Sequence, residues 1–301
     1  MARQPIIPKS VSDPTGLDSL NRRALKEMKR KFSQINALYL DFLDRIPFEA
    51  IAVNKIYQFN LLPSEFQAML NNANQDIEQI LTQGGKDNLW LLNGYVAVAY
   101  NNGLEKARVN IGAQSVEYSA YRPSLDTIIM SQPYRTRMEY LALREFEEMV
   151  GLSDIVKKDL AQTLTYGMAS GQNPRDIAKQ ITRRTGVHLS RANTIARTEI
   201  NMAFKRARMD EAQDSMQRFG FNIRMLHLSA MTRTTRRTHA MRNGEIHTIE
   251  EVNEWNSRDA NSINCLCSIT EVMVDDDGKP LTTIAIDRVR SRKLVYAGSS
   301  A

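Results

Sequence analysis

Leu25, Met28, Phe32, Ile35, Tyr39, Phe42 and Ile46 recur at alternating intervals of three and four, with Lys, Arg, Glu and Asp between them. That is the a/d pattern of a long amphipathic helix. Pro47, which has no amide hydrogen and clashes with a preceding helical turn, stops it. Three heptads are marginal as a free-standing coiled coil, so the apolar stripe suits packing within a helical bundle.

Upstream, Pro5, Pro8 and Pro14 break residues 1–18, which show no periodicity and read as an extended arm that gains order only on a partner. Downstream, Ser64 and Gln67 after Pro63 form a capping-box signature for a helix to about Thr82, closed by Gly84-Gly85. Leu89, Leu92, Val96, Tyr100, Leu104 and Ala107 mark another buried helical stripe. Residues 112–133 are irregular, carry Tyr118 and Tyr121 with Tyr134 just beyond, and read as an exposed contact loop. Helices are expected over about 135–150 and 153–170, from Asn173-Pro174 to about Arg184, and from a Ser190 cap to about Arg218 before Gly220.

Beyond Gly220 the period changes. Residues 222–229 alternate like a strand, Thr248-x-x-Glu251 opens a short helix to Trp255, and 263–274 is again strand-like. Asp276-Asp277-Gly278-Lys279 is a hairpin turn into a further strand over 281–286. The expected fold class is mainly α: an arm (1–18), a helical N-terminal body (19–220), and a small α+β C-terminal domain with a basic tail (221–301).

Composition changes this picture little. With 301 residues, 42% hydrophobic and 25% charged, the chain has enough apolar content to fold. Charge changes it more. The net +6 concentrates between Arg183 and Arg242, where Arg183, Arg184, Arg191, Lys205, Arg206, Arg208, Arg233, Arg237 and Arg242 are candidate contacts for DNA or another polyanion. Smaller basic clusters are Lys26, Lys29, Arg30 and Lys31, and Arg288, Arg290, Arg292 and Lys293. The bland alternative is a set of solvated faces. The start lacks an apolar signal core, and the longest apolar stretch, Leu89 to Tyr100, is interrupted by Asn93-Gly94, so neither export nor a membrane partner is expected. Two cysteines two residues apart fit a reducing compartment.

Several residues carry candidate chemistry. Positions 192, 196, 199, 203 and 207 share one helical face, and four are alanine. The fifth, Glu199, needs a cationic or hydrogen-bonding partner if buried, and Arg236 or His239 is the expected one, forming a structural junction. His239, His247, Cys265 and Cys267 offer two nitrogens and two thiolates, the donor set of a structural zinc site. On an extended segment the cysteines share a face while Leu266 points away. The alternative is two small buried thiols beside hydrogen-bonded histidines, with no cofactor. A catalytic trio is conceivable, with Glu199 as base, His239 as acid and Arg236 as anion clamp, for a hydrolase or transferase. The sequence has no P-loop, nucleophile elbow, dinucleotide fingerprint or acidic cluster for two-metal chemistry, so no enzyme is expected. His188 is ordinary, and His227 is expected to stand in for an aromatic packing group on its strand. Trp90 and Trp255 read as core anchors.

Ala196-Arg197-Thr198-Glu199, preceded by Tyr166-Gly167-Met168-Ala169-Ser170-Gly171 and Asn173-Pro174, is similar to the entry of the Mu F-like head-morphogenesis family of tailed bacteriophages. Arg236-x-x-His239, Gly244 and Asn264-Cys265-Leu266-Cys267 resemble its later landmarks in order, so the likeness covers roughly residues 150 to 270. It implies a minor capsid protein of the virion, bound inside the head near the portal and present in host cytoplasm during assembly. The implied partners are the portal protein, a major capsid or scaffold protein, and viral DNA held without sequence readout, in head assembly and in DNA packaging or ejection. The runner-up is a sequence-nonspecific nucleic-acid-binding protein without a virion role.

Overall fold

A computed structural model describes residues 3–51 and 56–298. The first two residues of the arm and the last three of the basic tail lie outside them. The order is α1 (Asp18–Asp44), the hairpin β1 (Phe48–Ile51) and β2 (Ile56–Phe59), α2 (Pro63–Leu81), a π-helical turn (Leu92–Val96) and α3 (Ala97–Gln114). Then come α4 (Val116–Tyr121), α5 (Leu125–Ile129), α6 (Gln132–Ala169), α7 (Pro174–Phe219), β3 (Ile223–Leu228) and α8 (Arg237–Met241). The chain continues with β4 (Ile246–His247), α9 (Ile249–Ser257), β5 (Ser268–Met273) and α10 (Ile284–Gly298). It is mainly helical, with a small three-stranded antiparallel sheet ordered β4-β3-β5.

The helices are longer and fewer than expected. The 135–150 and 153–170 segments are one helix, and the segments flanking Ser190 are one helix of 46 residues. A side chain added at Gly151 or at Gly186 would meet no neighbour, so neither glycine marks a break in packing. In α2, Pro63 takes the first helical position and Glu65 accepts the Leu62 amide, which puts Ser64 inside the helix rather than at its cap. Residues 112–133 are not an open loop: Ser115 and Ser124 cap α4 and α5, and Tyr118 and Tyr134 are buried, leaving Tyr121 exposed. The turn at Gly278 forms, but leads into α10 instead of a strand.

Two compact units divide the chain, one of residues 1–22, 94–138 and 197–301, the other of 23–93 and 139–196. Sequential domains split at residue 220 were expected. Segments far apart in sequence share each core instead, because the long helices contribute to both units.

In the first unit both faces of the sheet are covered. One carries Ile223, Met225 and Ile269 against Ile111, Tyr118, Met209 and Ala212; the other carries Leu226, Leu228 and Val272 against Ile286 and Val289, with Ile7 of the arm packed on it. The arm is held by its own chain: the Ile6 amide donates to Asn110 Oδ1 (2.6 Å), Lys106 Nζ to the Thr15 carbonyl (2.7 Å), and the Ala285 amide to Gln4 Oε1 (3.0 Å). Gly103 lets α3 approach the Phe204 carbonyl on α7, where a Cβ would collide. Two buried ion pairs lie here, Arg208 with Glu271 (2.6 and 2.9 Å) and Arg122 with Glu211 (2.7 Å).

In the second unit the heptad positions of α1 from Met28 to Phe42, and Ile46 just past its end, are buried as expected. Lys31, also buried, donates to the Ile80 carbonyl (2.8 Å) and Gln83 Oε1 (2.6 Å) and lies over the Trp90 ring. His188 is held by Asp159 (2.8 Å). The hairpin is fixed by the Tyr57 amide donating to the Gly171 carbonyl (3.0 Å).

Candidate functional site

Strand register sets the geometry of the first unit's polar centre. β3 and β5 pair antiparallel with His227 opposite Ile269 and Leu228 opposite Ser268. Side chains alternate, so His227 shares a face with Met225 and Ile269, and two residues before Ile269 that face is taken by Cys267. The extended residues before β5 bring Cys265 to the same side. From across the site, α8 presents His239, with Arg236 at its N-terminal cap.

His239 sits at the middle. Its Nδ1 is 3.5 Å from Cys265 Sγ and 3.7 Å from Cys267 Sγ, and Nε2 is 3.2 Å from Asn261 Oδ1. Asn261 Nδ2 donates to the Trp255 carbonyl (3.0 Å), which leaves its Oδ1 for the imidazole. Ligand atoms of His227, His239 and Cys267 all lie within 4.8 Å of one another. The thiols titrate in opposite directions: a hydrogen bond from Cys267 draws Cys265 far below the ordinary thiol range, and that bond and burial push Cys267 above it. Burial lowers His227 to about 3 and keeps it neutral.

Arg236 braces the surrounding turn, donating to the carbonyls of Ala260 (2.9 Å) and Ile263 (2.5 Å). α7 meets the same turn: the Asn264 amide donates to Thr198 Oγ1 (2.9 Å) and Arg197 Nη1 to Asn264 Oδ1 (2.9 Å). Gly244 stands at φ +78° with its amide on the His227 carbonyl (2.9 Å), and Arg290 lies where a Cβ would project. A cavity of about 160 Å³ opens beside the cysteines, lined also by Arg197, Thr232, Thr234, Thr235, Arg236 and Asn264.

The sequence landmarks therefore converge, with changed roles. Glu199 is buried as its alanine stripe implied, and Arg236 and His239 contact the 258–264 turn and the cysteines. Arg197 and Thr198, beside Glu199 on α7, tie that helix to Asn264 of the turn. Of the four expected donors, His239, Cys265 and Cys267 come together. His247 lies on β4 beside Glu245 (3.6 Å) and Glu251 (3.7 Å), and His227 takes its place near His239. His227 is the residue sequence reasoning missed. Its only signal is that it falls on the same strand face as the cysteines, which needs the β3–β5 register to be seen.

The basic residues also separate. Lys205 and Arg208 are buried, and Arg208 is neutralised by Glu271, so neither can meet a polyanion. Arg242 is half-buried over the Trp255 ring (4.5 Å). Arg183, Arg184 and Arg191 are exposed in the second unit; Arg206, Arg233 and Arg237 are exposed in the first.

Residues 158–270 match the family described as Phage Mu protein F like protein. No curated protein and no solved structure gives a significant match.

Proposed function

With residues 158–270 matched to the Mu F-like phage head family, we propose that the chain is a minor capsid protein of a tailed bacteriophage. It binds inside the head near the portal and assists head assembly and the packaging or ejection of DNA. The observation that carries this reading is the assembly of Arg197-Thr198, Arg236, His239, Gly244 and Asn264-Cys265-Leu266-Cys267 into one bonded centre within the matched residues. Those residues tie secondary structures to each other, which supports a structural role rather than an enzymatic one. Its partners are the portal protein, a capsid or scaffold protein, and DNA met through phosphate contacts from exposed arginines. In agreement, no helix among the described residues is long and apolar enough to cross a membrane.

Co-expression with the portal ring tests the reading. The chain should co-purify with the ring, and particles imaged without imposed symmetry should lose density at the portal vertex when its gene is deleted. A protein that binds DNA but neither the portal nor particles would instead be the nonspecific nucleic-acid-binding protein.

A further inference from the structure

We propose that His227, His239, Cys265 and Cys267 form a closed structural zinc site that clips β3, α8 and the entry to β5 together. This goes beyond the head-protein reading and does not depend on it.

The donor set comes first. Two sulfurs and two imidazoles select zinc over hard cations such as magnesium or calcium, which prefer oxygen. Four protein donors also leave no open coordination position, as in structural sites.

Distances agree. Zinc bonds of about 2.3 Å to sulfur and about 2.0 Å to nitrogen in a tetrahedron set an N···S edge of about 3.6 Å. His239 Nδ1 stands 3.5 and 3.7 Å from the two sulfurs. These separations suit N···S hydrogen bonds in the metal-free chain and equally match two edges of such a tetrahedron. The third ligand, His227, keeps its donor atom within 4.8 Å of those of His239 and Cys267.

Hydrogen bonding gives a second, independent sign. His227 is 93% buried, by its relative exposure of 7%, and its Nε2 has no hydrogen-bond partner among the described residues. A polar nitrogen is seldom left so without cause. His239 turns Nδ1 toward both sulfurs, while its Nε2 lies 3.2 Å from Asn261 Oδ1 and 3.2 Å from Arg236 Nη1. That is how a metal-bound imidazole is commonly oriented by its outer neighbour.

The position explains what such an ion would do. The strand pairing of β3 with β5 ends at Leu228–Ser268. Beyond it the chain leaves the ladder on both sides, toward α8 from one strand and the 258–264 turn from the other. The ion would close the sheet at that open end.

Full-length protein purified without chelators or added metal should contain one zinc per chain by elemental analysis. Replacement by cobalt should give the visible bands of a tetrahedral centre with thiolate charge transfer. His227→Ala and Cys267→Ser should each lower the zinc content several-fold, whereas His247→Ala should retain it. The wild-type cobalt spectrum needs no variant, so it decides the matter even if a substituted chain fails to fold. Metal-free wild type that also gives no tetrahedral cobalt spectrum overturns the site, as does a Cys265–Cys267 disulfide in the native protein. Full zinc retained by a Cys265→Ser/Cys267→Ser variant overturns it too.

Discussion

At the residue scale, buried charge separates positions that look alike in sequence. Arg206 and Arg208 both lie in the basic stretch, yet Arg206 is exposed and Arg208 is enclosed with Glu271. Arg208→Met should therefore destabilise the protein by about 3–5 kcal/mol, because Glu271 would stay buried without its cation; urea unfolding measures this. Lys31 gives a pH-dependent case. Burial lowers it to about 8 from an ordinary 10.5, so above pH 8 the folded chain releases a proton that the unfolded chain retains. Stability contributed at this site rises as pH climbs from about 8 toward 10.5 and is least below 8. Relative to Lys31→Met, the wild type should gain about 2 kcal/mol between pH 7 and pH 10 in paired urea titrations. A difference that stays flat across that range would show that Lys31 titrates normally. Neither behaviour was legible beforehand: the sequence shows where charges fall, whereas burial depends on which helix arrives against them.

At the element scale, the amphipathic period was highly legible and the breaks were less so. The α1 stripe and the Thr248–Glu251 capping box form as the spacing implies. Thr248→Ala should cost about 1 kcal/mol, seen as a lower denaturation midpoint. The expected breaks near 151 and 185–189 do not form: Gly151 and Gly186 lie inside helices, where a glycine costs only about 1 kcal/mol relative to alanine and tertiary packing outweighs that. Gly103 is the contrasting case. Intrinsic propensity favours alanine there, but the added methyl would strike the Phe204 carbonyl. Gly103→Ala should thus destabilise by about 1–3 kcal/mol, the reverse of the propensity sign. The candidate site was half legible for a related reason. His239, Cys265 and Cys267 stand out in sequence, but choosing His227 over His247 requires knowing which strand lies beside the cysteines.

At the scale of the whole molecule, the positive charge left for partners is what remains after internal pairing. Arg206, Arg233 and Arg237 are exposed in the first unit. Their joint replacement by alanine should weaken DNA binding at every sequence tested. It should also make log K against log salt shallower by about 0.9 for each phosphate that is no longer neutralised, while leaving thermal unfolding in place. An unchanged slope would assign DNA binding to other residues. The division into units has a separate consequence for biosynthesis. Residues 23–93 and 139–196 can close their core while the ribosome is still translating the rest of the chain. The other unit cannot: Ile7 of the arm packs in one cluster with Ile286 and Val289 of α10, far later in the chain. Until α10 emerges, the arm and one face of the sheet lack their cover. A chain halted before that point exposes an apolar sheet face to chaperones and proteases, so a truncation that removes α10 should be degraded faster than one that keeps it.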